Sequence, residues 1–184
     1  MLAQTKYRSV VLFNRSIAQN VLLIVLASIF LAIVSQVAMH LWWPVPVTLQ
    51  SAAVVFMGIT LGSKRAAAAI ALYLFEGLIG LPVFAGGLSG LPILIGPSGG
   101  YLFGFLPSTF LAGFLMERGL ARNIFTTFIV ASLATMMIFC FGFLHLSALT
   151  GSQQAYQFGV KPFLLIELIK LIVVSFIAQF AWKK

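Results

Sequence analysis

The sequence predicts an all-α integral membrane protein with six transmembrane helices and both termini in the cytoplasm. Three observations carry that expectation. First, 61% of the 184 residues are hydrophobic and the mean hydropathy is +1.11, which is more apolar surface than a soluble core can use. Second, only 8% of residues are charged, and most of them lie singly or in small groups at the ends of apolar runs. Third, the basic residues alternate along the chain. Lys6, Arg8 and Arg15 precede the first run, Lys64-Arg65 follow the second, Arg118 and Arg122 follow the fourth, and Lys183-Lys184 follow the last. The intervening connections hold Lys161 alone. Because Lys and Arg concentrate in cytoplasmic loops, this asymmetry orients the bundle.

The same observations exclude other classes. A pI near 10.2 in a soluble protein suggests nucleic acid. Here the basic residues mark span ends and form no phosphate-binding face, so no nucleic acid partner is expected. Cys140 is the one cysteine, which rules out an internal disulfide. The apolar run after Arg15 is too long for a cleaved leader, so it is read as a span. No G-x-x-x-x-G-K-[ST] loop is present, so the chain is not expected to hydrolyse nucleotide. Neither a cofactor nor a metal is expected. The length allows one transmembrane domain, residues 1–184, with no separate soluble unit.

In chain order, the first span is expected at 17–41, with Trp42-Trp43 at its interface. Pro44 and Pro46 break the chain, because each also keeps its predecessor out of helical geometry. The second and third spans are expected at 48–61 and 66–79. At 1.5 Å per residue they are short against roughly 30 Å of hydrocarbon. Residues 80–105 follow, uncharged, dense in glycine and with three prolines. Glycine and proline break helices, so this stretch should be a loop. It is too apolar for a solvated connection, which makes the 81–98 segment a candidate lid over a small-molecule pocket. Gly86, Gly87 and Gly90 would let it rearrange, and Phe84 and Leu88 would form its apolar underside. The fourth and fifth spans are expected at 99–116 and 123–146, and residues 148–161 read as a polar loop. The sixth runs over 162–182, with Pro162 in its first turn.

Ionisable groups inside a span are costly, so each needs a reason. Three are found: Glu76, Glu167 and Lys170. Glu167 and Lys170 are three residues apart, so they share a helix face. With Gln50, Glu76, Ser98 and Tyr101 they fall in the outer half of the predicted bundle, under the uncharged loop. A polar cavity with an apolar cover is a receptor for a small molecule taken from outside. The start of the fourth span, Ser98 to Tyr101, offers backbone N–H groups suited to an anion or a carbonyl. The alternative is an internal Glu167–Lys170 pair that only ties helices together. His40 and His145 read as interfacial. Small residues recur every four positions at Gly100, Gly104, Ser108 and Ala112, at Gly58 and Gly62, and at Ser28 and Ala32. Such faces let helices pack closely, and one of them could dock another membrane protein.

Two other functions compete. Gly96-Pro97-Ser98-Gly99 is similar to the nucleophile motif of rhomboid intramembrane proteases, but the sixth span has no histidine to act as base. A stand-alone channel would need a polar path, and the inner halves of the spans are nearly free of charge.

Four segments together resemble the BioY family. They are Pro44-Val-Pro-Val-Thr-Leu-Gln50, Tyr73-Leu-Phe-Glu-Gly-Leu-Ile-Gly-Leu-Pro-Val-Phe-Ala-Gly-Gly87, Gly96-Pro-Ser-Gly-Gly-Tyr-Leu-Phe-Gly-Phe105 and Pro162-Phe-Leu-Leu-Ile-Glu-Leu-Ile-Lys170. That family comprises the biotin-specific substrate-binding (S) components of energy-coupling factor (ECF) transporters. The resemblance implies a six-helix S-component bundle in a bacterial cytoplasmic membrane that binds biotin and is no enzyme. It implies partnership with a transmembrane T component and two ABC-type ATPases. It puts an acid and a lysine at Glu167 and Lys170, where the acid is commonly Asp, and a ligand cap after Pro82. It also implies that Ser28 and Ala32 belong to the face that docks the T component.

Overall fold

The computed structural model describes residues 16–39, 45–121 and 123–182. His40, Trp42, Trp43, Pro44, Arg122 and the charged residues of both termini lie outside the described residues. Helix α1 (Ile17–Ser35) opens with a capping box: the Ser16 hydroxyl accepts from the Gln19 N–H, and the Gln19 side chain accepts from the Ser16 N–H. It ends earlier than the predicted 41. Gln36 turns its amide back onto the Ala32 carbonyl and the Ser35 hydroxyl, and the chain enters a two-residue strand, β1 (Ala38–Met39). That strand pairs antiparallel with β2 (Val47–Thr48), Ala38 opposite Thr48.

Helices α2 (Gln50–Leu61) and α3 (Ser63–Leu78) follow, separated by Gly62 alone. Gly62 has φ +82°, a region that L side chains rarely adopt, so the chain reverses without a longer loop. The glycine-rich stretch contains a 3-10 turn at Ala85–Gly87 and a five-residue helix, α4 (Leu91–Ile95), that was not expected. Helix α5 (Gly99–Glu117) follows and carries Pro107 within it. Helix α6 (Ile124–Thr150) opens on a second capping box, made by Asn123 and Thr126. The polar loop predicted for 148–161 is corrected: α6 runs on to Thr150, Gly151 breaks it at φ +87°, and Ser152–Gly159 form helix α7. The polar composition of α7 reflects amphipathicity, with Ala155 and Gly159 turned inward and glutamines outward. Lys161–Phe163 form a 3-10 turn into α8 (Leu164–Trp182).

Helix α5 is the centre of the bundle, packed on α6 at one side and on α2 and α3 at the other. Its four-residue ladder of small side chains makes this possible. A Cβ on Gly100 would lie 2.6 Å from the Phe141 carbonyl of α6, and one on Gly58 of α2 would lie 2.5 Å from the Thr109 carbonyl of α5. The small-residue faces of α2 and α5 are therefore internal packing.

Side-chain bonds sort the helix ends. Arg65 Nε donates to Asn20, the Ser63 N–H and hydroxyl donate to the Glu117 carboxylate, and Gln179 donates to Thr127. These bring the start of α1, the α2–α3 reversal, the α5–α6 turn and the end of α8 to one end. At the other end Ser35 donates to the Val83 carbonyl, His145 Nε2 to the Gly96 carbonyl and the Tyr101 hydroxyl to the Gly159 carbonyl. The described helices of twelve or more residues therefore alternate in direction. Among the described residues, three helices are long and apolar enough to cross a membrane: α1, α5 and α6.

Candidate functional site: a capped cavity with a buried ion pair

At the loop-bearing end lies a cavity of about 270 Å³, near the lower edge of ligand pockets, which run from roughly 300 Å³ upward. Most of its wall is apolar and comes from the loop, α5, α6 and the start of α8. Its acidic and basic side chains are Glu167 and Lys170. Helical spacing puts both on the inward face of α8, 6% and 8% exposed. Lys170 Nζ lies 2.5 Å from Glu167 Oε1, 2.6 Å from the Thr48 carbonyl and 3.2 Å from Ser51 Oγ. An ammonium has three N–H donors, so Lys170 is fully satisfied. The Ser51 hydroxyl donates toward Glu167, 2.9 and 3.0 Å from its two oxygens. An ionised carboxylate has about four acceptor positions, so Glu167 keeps capacity for a ligand N–H.

The pair is buried at a cost that these bonds offset; removing one partner would leave the other charged and alone. Two of the supporting groups were absent from the sequence expectation. Ser51 sits beside Gln50 and could have been noticed as a hydroxyl in an apolar helix. The Thr48 carbonyl carries no sequence signal, because it is freed only where β2 gives way to α2.

Gln50 also lines the cavity, but its amide is engaged: Nε2 donates to the Tyr73 hydroxyl at 2.6 Å, and Oε1 accepts from Thr48 Oγ1. Tyr73 in turn donates to the Val83 carbonyl at 3.0 Å. Gln50 thus braces the root of the loop as well as facing the cavity. Phe84 lines the cavity, is 1% exposed, and lies edge-on to Tyr73 with centroids 5.5 Å apart. The loop crosses back on itself, with the Phe84 N–H donating to the Leu88 carbonyl. Gly86 and Gly87 make that turn at φ +70° and +72°. Gly86 serves the turn; its neighbours Ala85 and Leu88 line the cavity, and Gly86 is not part of the wall.

Ser98 and Tyr101 both line the wall. The expected free N–H groups at this helix start are partly used: Gly99 donates to the Gly96 carbonyl and Tyr101 to the Ser98 carbonyl. His145, expected at an interface, pins the wall through the Gly96 carbonyl. Among the described residues no hydrogen bond joins the Ser98 hydroxyl to a base. Glu76 is elsewhere. Its carboxylate accepts from the Ser28 hydroxyl at 2.6 Å, on the α1–α3 interface, and it does not line the cavity. Ser28 is accordingly fully buried, while Ala32 is half-buried.

A bundle of apolar, alternating helices that holds a small capped cavity with one buried ion pair defines a multi-pass membrane protein built to bind a small molecule. The chain belongs to the BioY family, whose model matches residues 4–184. It is similar to the biotin transporter BioY of Thermotoga maritima, 37% identical over 137 residues that cover 73% of this chain and 79% of that one. It is also similar to the biotin transporter BioY2 of Lactococcus lactis, 37% identical and covering 83% and 84%. Among solved structures, the S component for biotin from an ECF-type ABC transporter superposes with a TM-score of 0.79 at 27% identity, covering 91% of this chain and 92% of that one. The expected S-component fold is confirmed, and the protease reading is set aside, since the family is one of transporters.

Proposed function

We propose that this protein is the biotin-capturing S component of an ECF-type uptake transporter. The observation that carries the reading is the Glu167–Lys170 pair, with Ser51, inside an otherwise apolar cavity capped by Phe84. Biotin has a flat polar ureido ring and an apolar body. A carboxylate with spare acceptor positions suits a ureido N–H, and an ammonium suits the ureido oxygen. The three donors of Lys170 are engaged by Glu167, Thr48 and Ser51, so a ureido oxygen would take over the bond to Ser51 or to Thr48. Gln50, Ser98 and Tyr101 complete the wall, and the 81–98 loop is the lid.

The six long helices are taken to cross the membrane, with the basic end, and hence both termini, in the cytoplasm. The gathering of Lys64, Arg65 and Arg118 at one end supports this. The location is a bacterial cytoplasmic membrane, where lipid covers the apolar flanks. Transport inward would use a T component and two ABC-type ATPases. The outward face of α1, with Leu22, Val25, Leu26, Ile29 and Ile33 exposed, supports a docking role for that helix. Ser28 is turned away from that face by its bond to Glu76, which leaves Ala32 at its margin.

Calorimetry on purified protein without ATP tests the reading. Biotin should bind tightly and stabilise the fold. Stabilisation by a different vitamin, with none by biotin, would overturn it.

A further inference from the structure

A second hollow of about 540 Å³ runs between α6 and α8 on the flank of the bundle, beneath α7. It is lined almost wholly by apolar groups, Leu168, Leu171 and Phe143 among them. Two residues, Phe139 and Glu167, line both this groove and the ligand cavity. One layer of side chains, Phe139 and Glu167, therefore lies between the ligand cavity and the flank. Glu167 is held in that layer by Ser51 and Lys170. Phe139 makes no side-chain hydrogen bond and is held by packing against the core, edge-on to Tyr101 at 6.0 Å and tilted against Phe163 at 6.2 Å.

Those two rings cannot yield easily. Tyr101 is anchored by its hydroxyl to the Gly159 carbonyl, 2.7 Å away. Its ring lies flush on α6, where a Cβ on Gly142 would come within 2.3 Å of it. Phe163 is buried in the turn that begins α8. Phe139 is only half-buried, and its free side is the groove. We infer that Phe139 is the partition that sets the size limit of the ligand cavity: it closes the cavity toward the flank, and a smaller side chain there would merge the two spaces and admit ligands bearing an extra substituent. Phe139 is thus a specificity-determining residue, and the inference rests on the biotin reading above.

The test compares wild type with Phe139→Ala, Phe139→Leu and Phe139→Trp, purified whole. Each is titrated with biotin, with a biotin amide carrying a short alkyl chain on the carboxylate, and with biotin alkylated on a ureido nitrogen. The readout is the ratio of each derivative's Kd to that of biotin within one variant, which cancels any general loss. Wild type should show at least a tenfold penalty for one derivative. Phe139→Ala should cut that penalty at least tenfold, Phe139→Leu partly, and Phe139→Trp should raise it. Whichever derivative gains reports which end of the ligand faces the partition. If Phe139→Ala does not fold, Phe139→Leu alone decides. Equal penalties in wild type and the smaller variants, or no penalty in wild type, would overturn the inference while leaving the biotin reading intact. Loss of biotin binding by wild type itself would overturn that reading, and this inference with it.

Discussion

The ring of Phe84 occupies the space above Gly77: a Cβ on Gly77 would lie 2.0 Å from Phe84 Cζ. The lid is therefore seated on α3 through a hole that only glycine leaves open. The seat is reinforced from the next turn, since the Gly77 carbonyl accepts from the Gly90 N–H at 2.7 Å and so ties both limbs of the loop to one residue.

Gly77→Ala should expel the ring and loosen the lid. The expected outcome is at least a tenfold loss of biotin affinity, together with faster proteolysis within residues 81–98. The helix itself should be no weaker, because alanine favours helix over glycine by about 1 kcal/mol. Unchanged affinity in a folded Gly77→Ala protein would mean that Phe84 does not act as the cap.

Lys170→Ala leaves Glu167 buried with Ser51 as its remaining partner, and should cost roughly 2–5 kcal/mol of ligand affinity and some stability. Glu167→Gln keeps the shape but turns a charged acceptor into an amide, so it should weaken binding with a smaller structural effect. Glu167→Asp shortens the arm that now reaches both Ser51 and Lys170. Titration calorimetry alongside thermal unfolding separates ligand contact from structural pairing. A folded double variant carrying size-matched apolar residues at both positions, and binding biotin at wild-type strength, would show that the pair is only structural.

Ser51→Ala removes the hydroxyl that bridges both members of the pair. Its bonds go to charged groups, which are worth about 1.5–3 kcal/mol each when buried. The expected result is weaker biotin binding, with partial rescue by Ser51→Thr, which restores the hydroxyl. A Ser51→Ala protein that binds as tightly as wild type would remove Ser51 from the site.

Leu88 lines the cavity while staying 48% exposed, so its position should report lid closure. A spin label at a Leu88→Cys site, in a Cys140→Ser background, should lose mobility and reagent access when biotin binds. Identical spectra with and without ligand would argue against a moving lid.

Glu117→Gln probes the opposite end. The carboxylate accepts the Ser63 N–H at 2.8 Å and so caps the positive start of α3. Losing the charge should cost about 1 kcal/mol of stability, read as a lower unfolding midpoint, and leave biotin affinity within twofold.

Membrane class and the apolar, glycine-broken character of the lid were set by composition and by backbone chemistry. Hydrocarbon demands apolar runs, and glycine and proline crowded as densely as in residues 80–98 break a continuous helix, whereas single ones are carried within α2 and α5. The pairing of Glu167 with Lys170 followed from helical spacing alone. Other features depended on what each element meets in space. Glu76 has the same chemistry as Glu167, yet it faces α1 and Ser28, because the rotation of α3 about its axis is decided by packing, not by its own residues. Residues 148–161 looked like a loop because polarity alone does not distinguish a solvated connection from an amphipathic helix resting on a bundle. The Thr48 carbonyl, Ser51 and Phe139 became parts of the site only when α2, α6 and α8 converged. A carbonyl at the end of a short strand and a phenylalanine in an apolar helix carry no mark of their role until the neighbouring surfaces enclose them.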